Sequence, residues 1–228
     1  MKKQAGNFIL NLFFPQRCPW CQDVVGFSDR PCQCEGTLAA LRRDDALYLP
    51  DSAHGGKLRV QACYAYKPPA STAVQNLKAA GDASSYREMG AAMSALLNTY
   101  SFGEEFDMLV PVPVSAKVKR QRGHNQAALL AAEVADRAGL PLLEVLCKQR
   151  ETAHQRELGR EERLKNLKGA FAVAVLPETI QGKRILLVDD VVTTGSTLLE
   201  CAHTLRAAGA AEIGGLCFTA VGEDIQEI

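Results

Sequence analysis

The chain has 228 residues, enough for one substantial α/β domain plus a small accessory module but crowded for two full domains. With 47% hydrophobic and 23% charged residues it has the makeup of a packed globular protein and not of a disordered one. Lys plus Arg balance Asp plus Glu at 26 each, so no global field recruits nucleic acid or a membrane, and any such affinity has to be local.

From the N-terminus, Phe8, Leu12, Phe13 and Phe14 fit a short amphipathic helix stopped by Pro15. Asn7 and Asn11 interrupt the run, and no small-residue cleavage pattern follows it. No apolar stretch approaches the ~18 residues of a membrane span. These features lead to the expectation of a soluble, cytoplasmic protein with no membrane partner.

Four of the eight cysteines then bunch together: Cys18-x-x-Cys21 and, after ten intervening residues, Cys32-x-Cys34. Four thiolates meet the needs of a tetrahedral structural Zn²⁺ site, which would help fold a head too small to hold its own core. The single residue inside the second pair strains the usual knuckle geometry, and a set of reduced, buried thiols is the alternative. Cys63, Cys147, Cys201 and Cys217 sit in apolar contexts and read as core thiols. Residues 1–43 are therefore read as a Cys-rich, zinc-ribbon-like module with a short helix after Cys34, and residues 44–228 as one domain.

Within that domain, Arg59 to Tyr66 reads as a strand. Pro68-Pro69 opens a helix toward Lys78 that Gly81 closes, and a second helix runs from about Ser84 to Tyr100, with Met89, Met93, Leu96 and Leu97 at helical spacing. Phe106 to Val112 is a short apolar strand ending at Pro111-Val112-Pro113, and Gln126 to Ala138 is a helix capped by Gly139. Leu142 to Cys147 and Phe171 to Val175 are read as further strands flanking a charged stretch from Lys148 to Lys168. Ile185 to Val188 is a fully apolar strand, Ser196 to Ala208 a helix, and Ile213 to Ala220 the last strand. Apolar strands alternating with helices predict a largely parallel, Rossmann-like sheet covered on both faces.

The chemistry concentrates in residues 185–197. Asp189 and Asp190 follow four aliphatic residues, and desolvating them in a core would cost several kcal/mol each, so they are placed at the strand's carboxyl edge, where open α/β sheets bind ligands. Val191-Val192-Thr193-Thr194-Gly195-Ser196-Thr197 then offers small hydroxyl side chains, one Gly and a helix start, so that backbone N–H groups can wrap an anion. Neither G-x-x-x-x-G-K-[ST] nor G-x-G-x-x-G is present. Acids for sugar hydroxyls beside amides for a phosphate together fit a ribose 5-phosphate.

The string Ile185 to Thr197 closely resembles the phosphoribosyl pyrophosphate (PRPP) signature of the type I phosphoribosyltransferases: four hydrophobics, two acids, a hydrophobic pair and T-T-G-[ST]-T. Pro111-Val112-Pro113, Arg122-Gly123-His124-Asn125-Gln126, Gln155, Arg163, Asn166, Gly169-Ala170-Phe171 and the Cys-rich head extend the resemblance to the ComF family, amidophosphoribosyltransferase-like proteins linked to competence and DNA uptake. The resemblance implies a phosphoribosyltransferase-type core in which Asp189 and Asp190 hold the ribose hydroxyls as catalytic residues. It implies that Val191 and the loop Thr193, Thr194, Gly195, Ser196 and Thr197 hold the 5-phosphate, and that Mg²⁺ bridges ribose and pyrophosphate oxygens. It also places a mobile hood over PRPP at the stretch 148–168, whose seven positive charges alternate with Glu151, Glu157, Glu161 and Glu162; an exposed, charge-paired helix from Glu157 to Lys165 is the plainer alternative. His124 stands where the family has an aromatic residue.

Lys117, Lys119, Arg120 and Arg122 put four cations in six residues just after the strand ending at Pro113. Arg122 with Gly123 is the pair expected to meet the pyrophosphate, whose growing charge needs compensation as it departs; a solvated basic loop is the alternative. Lys78 is expected to reach the site, although a lysine ending a helix is already favoured there by the macrodipole. His54, His154 and His203 carry no partner pattern and are read as structural or solvated. Two functions remain open: a phosphoribosyltransferase acting on an unidentified acceptor, or a PRPP- or nucleotide-sensing adaptor in DNA uptake that works with a helicase-like partner. Contact with single-stranded DNA would be weak, since the basic segments lack interleaved aromatics for base stacking.

Overall fold

In a computed structural model of the chain, residues 17–25, 32–51, 53–79, 85–99, 102–150 and 167–222 are described. The expected helix around Phe8 to Phe14, the boundaries at Gly81, Ser84 and Tyr100, His154, and the charged stretch containing Gln155, Arg163 and Asn166 lie outside them. In chain order the elements are α1 (Cys34–Ala40), β1 (Leu47–Asp51), β2 (Gly56–Ala65), α2 (Ala70–Lys78), α3 (Tyr86–Thr99), β3 (Met108–Pro111), α4 (Ala116–Arg122), α5 (Gln126–Ala138), β4 (Leu146–Lys148), β5 (Phe171–Val173), β6 (Arg184–Val192), α6 (Ser196–Ala207) and β7 (Glu212–Ala220).

Five strands form the main sheet in the order β1-β2-β7-β6-β3. The pairs β2/β7, β7/β6 and β6/β3 are parallel, and β1 is antiparallel to β2 at the edge. Ile185, Leu186, Leu187 and Val188 of β6 are wholly buried, as a strand covered on both faces requires. On one face Leu186, Val188 and Phe218 share an apolar cluster with Leu77 of α2, Met93 of α3 and Leu130 of α5. On the other, Ile185 and Leu187 cluster with Leu198, Ala202 and Leu205 of α6 and with Phe171. The fold is thus mixed α/β with a mostly parallel sheet.

Two expectations are corrected. Residues 142–147 and 171–175 form no strand of the five-stranded sheet: β4 and β5 pair antiparallel with each other, and the segment before β4 meets the main sheet by an isolated parallel bridge, in which Leu109 N–H donates to Pro141 O and Leu143 N–H to Leu109 O. Each short strand buries a single residue, Leu146 or Phe171, which suits a half-exposed ribbon and not a central parallel strand. β1 gave no clear signal because only its alternate residues Leu47, Leu49 and Asp51 are buried and Pro50 interrupts it; proline is tolerated on such an edge strand.

The cysteine head is seated on this scaffold. After α1 the chain turns back along β2, with Arg43 N–H donating to Cys63 O at 2.9 Å and Ala65 N–H to Leu41 O at 2.8 Å. Trp20 stacks on Phe218 of β7 with ring centroids 6.0 Å apart and an interplanar angle of 2°, while Tyr64 meets the same ring edge-on at 5.3 Å. Cys18, Trp20 and Leu38 therefore share the core cluster of α2 and α3. No helix among the described residues is long and apolar enough to cross a membrane.

Candidate functional site

β3 ends where β6 continues. Their pairing ends at Pro111 beside Val188, with Val112 N–H donating to Val188 O at 2.9 Å as the last rung. β6 runs on through Asp189, Asp190, Val191 and Val192, paired there with β7 alone. The acid pair thus lies inside the last part of β6 and not beyond it, at an edge only because the neighbouring strand has gone. Such places, outside the carboxyl ends of parallel strands, are where open α/β sheets take ligands.

Asp190 is 5% exposed, and Lys78 at the end of α2 brings its Nζ to 2.8 Å from Oδ2. The lysine does more than complement its helix: it supplies the cation that the apolar strand lacks. Asp189 turns back so that its Oδ1 accepts the Asp190 N–H at 2.8 Å. Desolvation and the adjacent Asp190 carboxylate push the Asp189 carboxyl up to about 8, with Lys78 acting against the rise.

The turn that follows leads into α6 through a glycine. Gly195, the N-cap of α6, has φ +74°, in the left-handed region, and offers no side chain of its own as a cap; the Thr194 hydroxyl accepts the Ser196 N–H at 3.4 Å. A Cβ there would lie 2.3 Å from Leu49 Cδ1, so both the backbone angle and the close packing against β1 require glycine. The Thr194 and Ser196 hydroxyls meet at 2.8 Å, Thr193 is exposed, and Thr197 is part-buried in the first turn of α6. Free N–H groups at such a helix start are the usual recipe for anion binding.

Lys117, Lys119, Arg120 and Arg122 form the short helix α4, not a loop: Ser115 Oγ accepts Val118 N–H at 3.3 Å and Gly123, at φ +83°, ends it. Lys117, Lys119 and Arg120 are exposed, whereas Arg122 donates to Gln126 Oε1 at 3.0 Å. The same R-G-H-N-Q segment ties the rim together. His124 Nε2 lies 3.1 Å from Leu77 O, next to Lys78, and Asn125 donates to Val112 O at 3.0 Å while accepting Ala127 N–H. The roles of His124 and Asn125 in joining the ends of α2, β3 and α5 were not evident from the sequence. Lys78 is thus brought to the acid pair, whereas Arg122 and Gly123 are placed on the rim and engaged within it.

In the head, the Sγ atoms of Cys18, Cys21, Cys32 and Cys34 all lie within 4.8 Å of one another. Tetrahedral thiolates around Zn²⁺ at about 2.3 Å would stand roughly 3.8 Å apart, so the four residues can hold a metal ion. The tight Cys32-x-Cys34 pair is accommodated because Cys34 opens α1 and turns its N–H onto Cys32 Sγ at 3.4 Å. Hydrogen bonds from the Cys34 side chain and backbone lower the Cys32 thiol to about 7, whereas burial raises Cys21 to about 11 and raises Cys34 as well, so one thiolate is favoured at the expense of its neighbours.

The raised Asp189 carboxyl has a consequence for stability. An acid that binds its proton more tightly in the fold than in the unfolded chain stabilises the fold below its unfolded value of about 4, and this contribution is lost as pH rises toward about 8. The difference in melting temperature between Asp189→Asn and the parent chain should therefore shift in favour of the variant between pH 5 and pH 8.5, as thermal scans at matched salt would measure.

Comparison with known proteins gives these features their relatives. A family model described as "Phosphoribosyl transferase domain" matches residues 83–228. The chain is 40% identical to Competence protein F of Haemophilus influenzae over 108 residues, 47% of each protein. It is 36% identical over 160 residues, 67% of each chain, to DNA utilization protein YhgH of Salmonella typhimurium. It is also 32% identical over 114 residues to Homo sapiens amidophosphoribosyltransferase, covering 50% of this chain and 21% of that one. The matched stretch is thus about half the length of Competence protein F and a fifth of the human enzyme. The family model spans α3 to β7, including the acid pair and the turn at 193–197; the chain belongs to the phosphoribosyl transferase domain family and, within it, to the ComF group that contains Competence protein F and YhgH.

Proposed function

We propose that this chain binds PRPP together with Mg²⁺ in the crevice between the ends of β6 and β3, and transfers its phosphoribosyl group to an acceptor with release of pyrophosphate. The observation that carries the reading is a buried Asp190, beside Asp189 and countered by Lys78, a few residues ahead of a helix start whose N-cap is a glycine. Asp189 and Asp190 accept hydrogen bonds from the ribose hydroxyls. Val191 and the loop Thr193 to Thr197 surround the 5-phosphate with main-chain N–H groups and hydroxyls. Arg122 and Gly123, with the exposed cations of α4, face the pyrophosphate, and Lys78 follows the charge between Asp190 and the ligand. The hard oxygen donors suit Mg²⁺, which would neutralise charge shared between ribose and pyrophosphate. Catalysis of this kind is positional and electrostatic, since the bond to the leaving group loosens before the acceptor closes in.

A second reading is a PRPP- or nucleotide-sensing adaptor in DNA uptake, working in the cytoplasm with a helicase-like partner, with α4 as a weak contact for single-stranded DNA; of this, the relatives named for competence and DNA utilization support the DNA-uptake setting. In either reading residues 1–43 form a head braced by Zn²⁺ on its four thiolates and distinct in role from residues 44–228.

Incubation with PRPP, Mg²⁺ and a fractionated metabolite extract separates the two. Pyrophosphate release in the parent chain, lost in Asp189→Asn/Asp190→Asn, is the result for a transferase. Saturable PRPP binding without release is the result for a sensor, and the absence of both contradicts the site. For the head, Trp20 is the only tryptophan and stacks beside the cluster. Stripping metal with a chelator under reducing conditions should shift its fluorescence to the red, and zinc should restore it; an unchanged spectrum contradicts a metal-braced head.

A further inference from the structure

Away from both clusters, β1 runs alongside α6 and touches it at two levels. Leu49 packs on Gly195 at the start of the helix, and Asp51 meets the helix further along. Asp51 is 3% exposed, yet it gathers an unusual set of partners. Its Oδ1 lies 2.8 Å from His203 Nε2 and 3.4 Å from His54 Nδ1, and its Oδ2 pairs with Arg206. The two histidines, unassigned from sequence, face each other with ring centroids 4.8 Å apart.

We propose that Asp51, His54 and His203 form a binding site for a divalent transition-metal ion such as Zn²⁺, separate from the four-thiol cluster, which clamps α6 to the edge strand and the β1–β2 turn.

The donor set is the first support. Two imidazole nitrogens and one carboxylate oxygen suit Zn²⁺, Co²⁺ or Ni²⁺, whereas Mg²⁺ and Ca²⁺ prefer oxygen alone. Spacing is the second. The three ligand atoms lie within 4.8 Å of one another, and tetrahedral N/O ligands at about 2.0–2.2 Å would stand roughly 3.3–3.6 Å apart. The observed 3.4 Å falls inside that range and 2.8 Å about half an ångström short of it, so the carboxylate and the two rings stand near ligand spacing.

The surroundings are the third support. A metal-bound histidine ordinarily turns its other ring nitrogen to a carboxylate, and His203 Nδ1 faces Glu200 Oε2 at 3.8 Å. Glu200 is itself held, its Oε1 accepting Gly169 N–H at 2.6 Å. Arg206 in turn fixes the Asp51 oxygen that faces away from the histidines. His54 is 44% exposed at the rim, which leaves a fourth position to water. Because the turn at 193–197 runs into α6, an ion here would stiffen the helix that presents that turn.

Cobalt titration of the metal-free, reduced full chain tests the proposal. Thiolate ligation gives a charge-transfer band in the near ultraviolet, whereas an imidazole–carboxylate site gives only weak visible bands. Two classes of site are expected. His54→Ala/His203→Ala should keep the thiolate band and lose the second class, and the single variant His54→Gln, on an exposed turn that the fold tolerates, should weaken it by at least roughly tenfold. Equal cobalt uptake in the parent chain and both variants, or one thiolate class alone in the parent, overturns the proposal. Loss of the thiolate band alone would count against the cysteine head and leave this site standing.

Discussion

The Lys78–Asp190 ion pair, 2.8 Å long at the end of a strand whose preceding four residues are wholly buried, is the contact on which the proposed site depends. An uncompensated charge in such a place costs about 3–5 kcal/mol. Asp189, one residue earlier, is raised by its burial and by the neighbouring Asp190 carboxylate, against which Lys78 acts only in part. The pair therefore holds a tension that a ligand rich in hydroxyls and phosphate, with its own cation, would relieve. Perturbed carboxyls at the edge of a crevice are a mark of function more often than of structure.

The rest of the fold serves that edge. β3 stops one rung short of the acids, while β7 goes on pairing past them and keeps β6 straight. α2 ends so that Lys78 is within reach, and His124 and Asn125 tie that end to β3 and α5. On the far side β1, the least regular strand, fits Leu49 against Gly195 and Asp51 against α6, so the turn at 193–197 is braced from an edge strand and not only from its own helix. The cysteine head joins the same core through Trp20 on Phe218.

Local signals in the sequence account for what could be read there. The unbroken Ile185–Val188 run, the helix from Gln126 with Gly139 after it, and the Cys spacing each depend on residues a few positions apart, and the structure places them as read. Contacts between distant segments were the parts that could not be read. Nothing near Asp51 announces that His203 and Arg206, some 150 residues later, will share its carboxylate. α4 looked like a loop because its four cations hide a seven-residue helix with no buried face, and β4 and β5 are too short for their apolar residues to tell a central strand from a side ribbon. Lys78 was legible as a candidate but its partner was not, since only the packing of α2 on the sheet brings it to Asp190.

Calorimetric titration with PRPP in the presence of Mg²⁺, comparing the parent chain with Lys78→Met and with Asp190→Asn, tests the central claim most directly. Saturable binding in the parent chain, one ligand per chain, with affinity reduced at least roughly tenfold in Asp190→Asn and altered in Lys78→Met, is the predicted outcome. Equal heats and affinities in all three proteins, or no binding in the parent chain, would contradict it.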